Sequence, residues 1–380
     1  MIFDYETLKI IWWAFMGILL IGFAVTGGFD MGVGALLPFL GRTDEERRVV
    51  INAVGPTWEG NQTWLITAAG ASFAAWPLVY ATAFSGFYTV IVLTLFALFL
   101  RPVGFDYRSK VEDPRWRIAW DWGLAVGGAV PAFIFGVTFG NLLQGAPFHF
   151  DEVLRVTYTG SFGALLNPFA LLAGVVSLAM VVMHGGFYLQ IRTEGLLVLR
   201  AEKAAQVAAF VLVAAFALCG LWVALGIEGY RLISMPDPGG IIAPLAKTVE
   251  RAPGAWLDNY SRFEWLWLAP AFGLIGPLVA NALAQRGLFN LAFWTSAAAV
   301  SGVIITAGLS MFPFILPSSS QPNASLTVWD AVSSHATLQI MFWVVVVFLP
   351  IVLAYTRWVY RVLGGKVSVK TVMENKDQMY

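Results

Sequence analysis

The sequence is poor in charged residues, in histidine and in cysteine. Lys, Arg, Asp and Glu together make up 12% of its 380 residues, about half the usual share in a soluble domain. It contains three histidines and a single cysteine, Cys219. A disulfide framework, a multi-cysteine zinc site and an iron–sulfur cluster are therefore excluded. The formal net charge is zero, which leaves no basic excess for binding nucleic acid.

Apolar and aromatic residues dominate the rest of the chain. Hydrophobic residues make up 58% of it, including 29 Phe, 16 Trp and 11 Tyr, and the mean hydropathy is +0.73. A soluble protein of this length could not bury so much apolar surface and still present a charged exterior to water. The composition therefore predicts a polytopic membrane protein and excludes a soluble enzyme or a disordered chain.

Nine stretches are long and apolar enough to span a bilayer as helices. They cover residues 8–28, 58–76, 80–100, 122–143, 165–190, 204–225, 263–283, 288–313 and 336–360. We expect an all-α membrane protein in which two four-helix bundles are followed by one peripheral helix. The expected divisions are residues 1–145, 160–313, the extra helix 336–360 and a cytoplasmic tail, 361–380. A Gly-Gly-Phe sequence at 27–29 recurs at 185–187, which fits a repeat, although chance recurrence among 37 glycines is nearly as good an explanation.

The basic residues are distributed unevenly between the predicted loops. With the N-terminus outside, 17 of the 23 Lys and Arg residues fall in the inner segments. Basic residues are enriched on the cytoplasmic side of membrane proteins. The sequence therefore predicts an N-terminus outside the cell and a cytoplasmic C-terminus.

Two carboxyl groups lie at the predicted ends of the first two spans. Asp30 closes the first span and Glu59 opens the second, so we expect both at similar depth on the cytoplasmic side. Ionisable residues within spans are candidates for function because burying a charge is costly. Such a pair could pass protons inward from the cytoplasm. The alternative is that each carboxyl only caps a helix end, which the helix dipole favours for Glu59 and disfavours for Asp30.

The remaining candidates are weaker. Residues 101–110 mix arginine and lysine with Asp106 at the cytoplasmic interface, a pattern typical of anchoring and local ion pairs; a subunit contact or proton entry through Asp106 is the alternative. His184 is the one histidine well inside a predicted span, and no two histidines are three or four residues apart. We therefore expect a packed, hydrogen-bonded His184 and no multi-haem site in this chain.

Several motifs together resemble subunit II of the cytochrome bd-type quinol oxidases, which are bacterial terminal oxidases. Residues 22–34 resemble the first-helix signature of that family, and residues 58–65 resemble its second-helix segment. Further similar segments are residues 83–88, 101–108, 140–145, 311–314 and 325–331. The resemblance thus covers essentially the whole chain.

The resemblance implies a complex in the bacterial inner (plasma) membrane that oxidises quinol at the outer face and reduces oxygen to water. It implies proton uptake from the cytoplasm, with haem b and haem d held by a partner, subunit I. This chain would support assembly and line part of the proton path without being catalytic alone. A structural quinone, membrane lipid and small single-helix subunits are further expected partners, and nucleic acid is not.

The proton-path residues that the resemblance implies are Asp30, Glu59, Trp64, Asp106 and Tyr380. Asp30 and Glu59 match the family's carboxylates at the cytoplasmic ends of the first two helices, and Trp64 lies beside that path. The family often has Asp where this chain has Gly27, and often Asp where it has Glu59. One acid is therefore missing and another is longer. No catalytic or metal-binding residue is expected in this chain, and the cofactor-binding residues are not identified.

Two other classes of function compete with this interpretation. A proton-coupled transporter predicts polar substrate-binding groups at mid-bilayer and broken helices in matching halves. Here the strongest acids lie near the inner surface, and the middles of the predicted spans are mostly apolar. A purely structural membrane subunit is the second alternative, and removing the carboxyl of Glu59 distinguishes it from a proton-path subunit.

Overall fold

Long α-helices form most of the structure. The computed structural model describes residues 3–240, 242–375 and 379–380. Within those residues the helices are α1 (Tyr5–Leu40), α2 (Asp44–Val54), α3 (Trp58–Ala75), α4 (Pro77–Gly86), α5 (Tyr88–Tyr107), α6 (Pro114–Gln144), α7 (Pro168–Arg192), α8 (Leu196–Leu225), α9 (Asp258–Arg262), α10 (Leu268–Gln285), α11 (Phe289–Met311), α12 (His335–Val362) and α13 (Val369–Glu374). In this described part, eight helices are long and apolar enough to cross a membrane, and the bent pair α3 and α4 makes nine if it counts as one span. The all-α polytopic fold is therefore confirmed.

The first helix is longer than the sequence pattern predicts. The apolar run indicated an end at residue 28, but α1 continues without a break for 36 residues. Asp30 therefore lies inside a helix, and the prediction that it closes the span was wrong. Glycine weakens a helix in isolation, yet here glycines permit close packing: a Cβ on Gly185 of α7 would lie 2.7 Å from the main-chain nitrogen of Val33. Packing against α7 compensates for the low helix propensity of this stretch.

The link between the first two predicted spans contains a helix that the span count did not include. This helix is α2, whose N-cap Thr43 accepts a hydrogen bond from the main-chain nitrogen of Glu46 at 3.3 Å. Three acidic residues fill its first turn, where the helix dipole favours negative charge. The amphipathic helix α2 lies at the end of the bundle and contacts α1 and α13.

The chain bends sharply where the second and third predicted spans meet. The axes of α3 and α4 differ by 119° across Trp76. Pro77 lacks an N–H group and disfavours helical backbone in the residue before it, which explains the non-helical φ of −132° and ψ of 70° at Trp76. The helix predicted over residues 80–100 is divided at Phe87 between α4 and α5. The bounds predicted for that span were therefore wrong.

Helix α1 lies at the centre of the helix packing. It contacts α3, α6, α7 and α11, while α7 packs on α8 and α10 packs on α11. Helix α12 is peripheral, since Leu338 alone among its 28 residues is buried. The division into two four-helix units and an extra helix stays a prediction.

Three antiparallel hairpins cover one end of the helices, the end at which α1 begins. They pair β1 (Phe148–Phe150) with β2 (Val156–Tyr158), β3 (Glu228–Ser234) with β4 (Thr248–Pro253), and β5 (Phe314–Leu316) with β6 (Leu326–Thr327). Buried Lys9 ties α1 to these segments, because its Nζ donates to the main-chain oxygens of Pro238 and Trp329 at 2.6 and 2.7 Å. We refer to this end as the N-terminal face, and to the opposite end, with α2 and Tyr380, as the α2 face.

A network of ion pairs stabilises the α2 face. Arg108 pairs with Asp121 of α6 at 2.5 Å and with Asp44 of α2 at 2.9 Å, and Arg47 reaches Asp121 at 2.8 Å. The side chains of Arg108 and Asp121 are each 1% exposed. The predicted local ion pairs of residues 101–110 therefore exist at Arg108, with carboxylates from α2 and α6 as partners.

Candidate functional site

A buried polar cluster joins α1, α3, α5 and α12. Asp30 is 1% exposed, and its Oδ2 accepts a hydrogen bond of 2.7 Å from Nδ2 of Asn61. The hydroxyl of Tyr360 donates to Oδ1 of the same amide at 2.6 Å. We refer to Asp30, Asn61, Tyr360 and Arg101 as the Asp30 cluster. The amide of Asn61 thus connects a carboxylate on α1 to a phenol on α12.

Arg101 supplies the positive charge of this cluster. It is 2% exposed, its Nη1 donates to Oε1 of Gln62 at 3.2 Å, and its guanidinium lies 5.6 Å from the ring centroid of Trp58. Arg101 and Asp30 both line a cavity of about 10 Å³, close to the volume that one water molecule needs. Within the described residues, Asp30 Oδ1 and Arg101 Nη2 have no hydrogen-bond partner. The cluster therefore keeps two unpaired polar atoms next to a cavity whose other walls are mostly aliphatic.

Three other predicted site residues lie together on the α2 face, and we refer to Glu59, Asp106 and Tyr380 as the outer group. Both carboxylic residues are exposed. Burial raises the pKa of the Tyr380 phenol, and the nearby carboxylates of Asp106 and Glu59 raise it further. The main chain of Tyr380 is fixed by Asn52, which accepts from its nitrogen at 3.0 Å and donates to its oxygen at 2.8 Å. A protonated phenol is therefore held beside two acids.

Two aromatic side chains lie between the outer group and the Asp30 cluster. Trp58 and Phe105 stack with their ring centroids 5.0 Å apart. Phe105 lies 5.7 Å from the ring of Tyr380 and also lines the cavity beside Asp30. The outer group and the Asp30 cluster are therefore neighbours across one aromatic layer.

The structure places the carboxyls of Asp30 and Glu59 near the same aromatic layer, but the two carboxyls do not contact each other. Asp30 is buried against Asn61, whereas Glu59 is exposed in the first turn of α3. The helix-dipole explanation for Glu59 therefore also fits its position. Trp64 packs on Gly22 of α1, eight residues and about 12 Å along the helix from Asp30. It is outside the Asp30 cluster.

Sequence reasoning missed three members of the Asp30 cluster. Asn61 and Arg101 lie in the motifs at residues 58–65 and 101–108, but the sequence assigned neither of them a role. Tyr360 was identified only as the last residue of the ninth predicted span. A polar residue within a span was the available signal for Asn61 and Arg101. Nothing in the sequence pairs Tyr360 with Asn61, because 299 positions separate them.

The histidines of this chain do not fit haem ligation. His184 is fully buried, with Nε2 2.9 Å from the main-chain oxygen of Val25 and Nδ1 2.7 Å from Oγ of Ser296. Because a carbonyl only accepts, Nε2 carries the proton. The Ser296 hydroxyl lies 2.7 Å both from Nδ1 and from the main-chain oxygen of Phe293, so these two acceptors share its one proton. His335 bonds the main-chain oxygen of Phe3 at 3.0 Å, and His149 lies in β1, outside the spanning helices. The prediction of a packed, hydrogen-bonded His184 is confirmed.

The fold and the site define a polytopic α-helical membrane protein with ionisable groups buried between its spans. A family model described as cytochrome bd terminal oxidase subunit II matches residues 8–363. The chain belongs to this family and is a subunit of an oxidoreductase complex, cytochrome bd quinol oxidase.

Individual relatives match along almost the entire chain. The chain is 54% identical over 377 residues to cytochrome bd-I ubiquinol oxidase subunit 2 of Escherichia coli (strain K12), covering 99% of this chain and 100% of the relative. It is 51% identical over the same length, with the same coverage, to the probable cytochrome oxidase subunit 2 of Haemophilus influenzae. The structure of bd oxidase from Geobacillus thermodenitrificans aligns with a TM-score of 0.68 at 13% identity, over 94% of this chain and 98% of that one. This last similarity supports the fold alone.

Proposed function

We propose that this chain lines the proton-uptake path of a quinol:dioxygen oxidoreductase, in which quinol is oxidised at the outer face and oxygen is reduced to water. Protons enter at the α2 face, which we assign to the cytoplasm because most basic residues lie in the segments on that side. The observation that carries the proposal is the Asp30 cluster, a buried carboxyl hydrogen-bonded to an amide beside a cavity of about 10 Å³. The N-terminal face is then outside the bacterial inner membrane.

Each residue of the path has a distinct task. The exposed carboxyls of Glu59 and Asp106 collect protons, and the protonated Tyr380 phenol lies beside them. Asp30 then binds and releases a proton inside the bundle. Its polar neighbours there are the amide of Asn61, which donates to it, and Arg101, which lines the same cavity. Trp64 packs beside the path on α1 and takes up no proton.

The redox chemistry belongs to the partner in this proposal. The ring of His184 is occupied by hydrogen bonds within this chain, and we place haem b and haem d in subunit I, where they would supply electron transfer and oxygen reduction. A structural quinone and small single-helix subunits are compatible additional partners. This chain contributes assembly and proton delivery rather than a catalytic residue.

Purification of the complex tests the proposed assignment. We expect an affinity tag on this chain to recover a pigmented complex with a second large subunit and haem bands in its visible absorption spectrum. A transporter predicts a colourless protein that moves a solute in reconstituted vesicles. Recovery of such a colourless monomer would contradict the oxidase function.

Replacing Glu59 with leucine tests its role at proton entry. We expect oxygen consumption by the haem-loaded complex to fall about tenfold, less than the loss for a unique proton donor, because Asp106 lies beside it. Glu59→Asp is the matched control, and it should retain most activity because it keeps the carboxyl. If Glu59→Leu keeps full turnover with an unchanged haem spectrum, Glu59 has no role in proton entry and a structural role is favoured.

A further inference from the structure

A groove of about 570 Å³ lies between α1, α7 and α8, away from the Asp30 cluster. Its walls are almost entirely aliphatic and aromatic, and they include exposed Phe39, Val207 and Val211. The groove therefore opens sideways, along the flank of the helices. A lateral apolar opening in a membrane protein faces the acyl chains of the bilayer.

One end of the groove is basic. Arg42, which follows α1, and Arg200 and Lys203 in the first turns of α8 line it there. Arg200 is held in place, because its Nη1 donates to the main-chain oxygen of Leu40 and to Oε2 of Glu46, each at 2.7 Å. Within the described residues, the side chains of Arg42 and Lys203 have no hydrogen bond or ion pair and are exposed. Two cations are thus free to bind a ligand.

Glu46 is a carboxylate at this basic end of the groove, where its Oε2 accepts from the main-chain nitrogen of Arg42 at 2.8 Å. Burial by itself raises the pKa of the Glu46 carboxyl. Hydrogen bonds from Arg200 and from the main chain of Arg42 outweigh this effect and lower that pKa overall. Its negative charge is neutralised by Arg200 in the ion pair. Glu46 therefore does not pair with the side chain of Arg42 or Lys203, and both cations line the groove without an ion pair among the described residues.

The groove has the length of one lipid leaflet. Arg200, Lys203, Ala204, Val207 and Val211 of α8 line it, and the eleven steps from Arg200 to Val211 rise about 16 Å along the helix. Half of a hydrocarbon core of about 30 Å is about 15 Å. The cations are at one end of this distance and the apolar walls fill the rest. A free phosphate would leave the walls unused, and a quinone would leave the cations without an anion.

We infer that this groove binds one anionic diacyl phospholipid, with its phosphate against Arg42 and Lys203 and an acyl chain between α1, α7 and α8. The inference rests on charge complementarity and on the match in length. It does not depend on the proposed proton path. Binding of a second protein's helix in the groove would be an alternative outcome of the test.

The headgroup half of the inference is tested on the intact, delipidated oxidase complex titrated with phosphatidylglycerol and followed by native mass spectrometry. Each basic residue near an anionic membrane contributes about 1 kcal/mol, so we expect Arg42→Gln and Lys203→Gln each to weaken phosphatidylglycerol binding about fivefold. Arg286→Gln is the matched control, since Arg286 is an exposed cation outside the groove. Equal binding of phosphatidylglycerol and phosphatidylcholine would overturn the inference. Equal retention of phosphatidylglycerol by the control and by a variant that carries both Arg42→Gln and Lys203→Gln would also overturn it.

The acyl-chain half needs a second variant. Val207→Trp fills the exposed apolar part of the groove and leaves all three cations in place, so we expect it to lose the same bound phospholipid. Inorganic phosphate should compete weakly, because it cannot use the apolar walls. If Val207→Trp binds phosphatidylglycerol normally, or if phosphate displaces it at equal concentration, the acyl-chain site is wrong. A co-purifying small protein that occupies the groove and excludes lipid would also overturn the inference.

Discussion

Replacing Asp30 with asparagine is expected to lower oxygen consumption by the purified complex at least about 100-fold, the lower end of what a positioned proton-transfer group contributes. Asparagine has nearly the same shape, and its side-chain oxygen can still accept the hydrogen bond from Asn61. The variant therefore loses the titratable proton while the packing of α1 against α3 is kept. Turnover with quinol in an oxygen electrode measures the effect, and the visible spectrum reports whether the haems remain in place.

Two comparisons make the Asp30 result specific. Tyr360→Phe removes the hydroxyl that donates to Asn61 but leaves the carboxyl, so we expect a much smaller loss than for Asp30→Asn. Asp30→Glu keeps a titratable group and should retain part of the activity if its longer side chain reaches the cavity. Full turnover in Asp30→Asn, with intact haem bands, would show that protons reach the oxygen-reducing site by another route.

The second large effect is expected on stability, at Asp121. Asp121→Asn removes the charge that pairs with Arg108 and Arg47. The guanidinium of Arg108, which is 1% exposed, then keeps only the partly exposed carboxylate of Asp44 as its ion-pair partner. Breaking a buried ion pair on one side costs about 3–5 kcal/mol, because the remaining charge is poorly compensated. We therefore expect a large drop in the yield of assembled complex and in the temperature at which half of it stays monodisperse.

An exposed ion pair on the N-terminal face provides the control for Asp121. Arg231 and Asp258 pair at 2.7 Å, but their side chains are 44% and 49% exposed. Exposed pairs contribute about 0–1 kcal/mol, so Asp258→Asn should change the midpoint temperature little. Equal shifts for Asp121→Asn and Asp258→Asn would mean that burial of the network adds nothing to stability.

The spans could be predicted from the sequence because bilayer thickness sets a minimum length for an apolar helix. The ends of the spans could not, since they depend on contacts between helices. The Gly-Gly-Phe sequence near Asp30 looked like a helix end, and only its packing against α7 shows why α1 continues to Leu40. The gap between the second and third predicted spans contains Pro77, but no sequence pattern showed the separate helix α4 that follows it.

The candidate site was predictable only where a charge stands out against apolar sequence. Asp30 was found in this way, and the sequence also placed Glu59 at a similar depth, but helix geometry turns the two carboxyls in different directions. Residues 59 and 61 are about 200° apart around α3 at 100° per residue, so Asn61 faces Asp30 while Glu59 faces outward. The contribution of Tyr360 depends on the position of α12, which no local pattern specifies.

The hydrogen bond from Tyr360 to Asn61 also orders events during biosynthesis. A chain made from its N-terminus places Asp30 and Asn61 in the membrane long before the ribosome reaches α12. Until that last spanning helix inserts, the amide of Asn61 lacks its phenol donor and this side of the buried carboxyl is uncovered. The Asp30 cluster is therefore completed only when synthesis is nearly finished, so a truncated chain cannot form it.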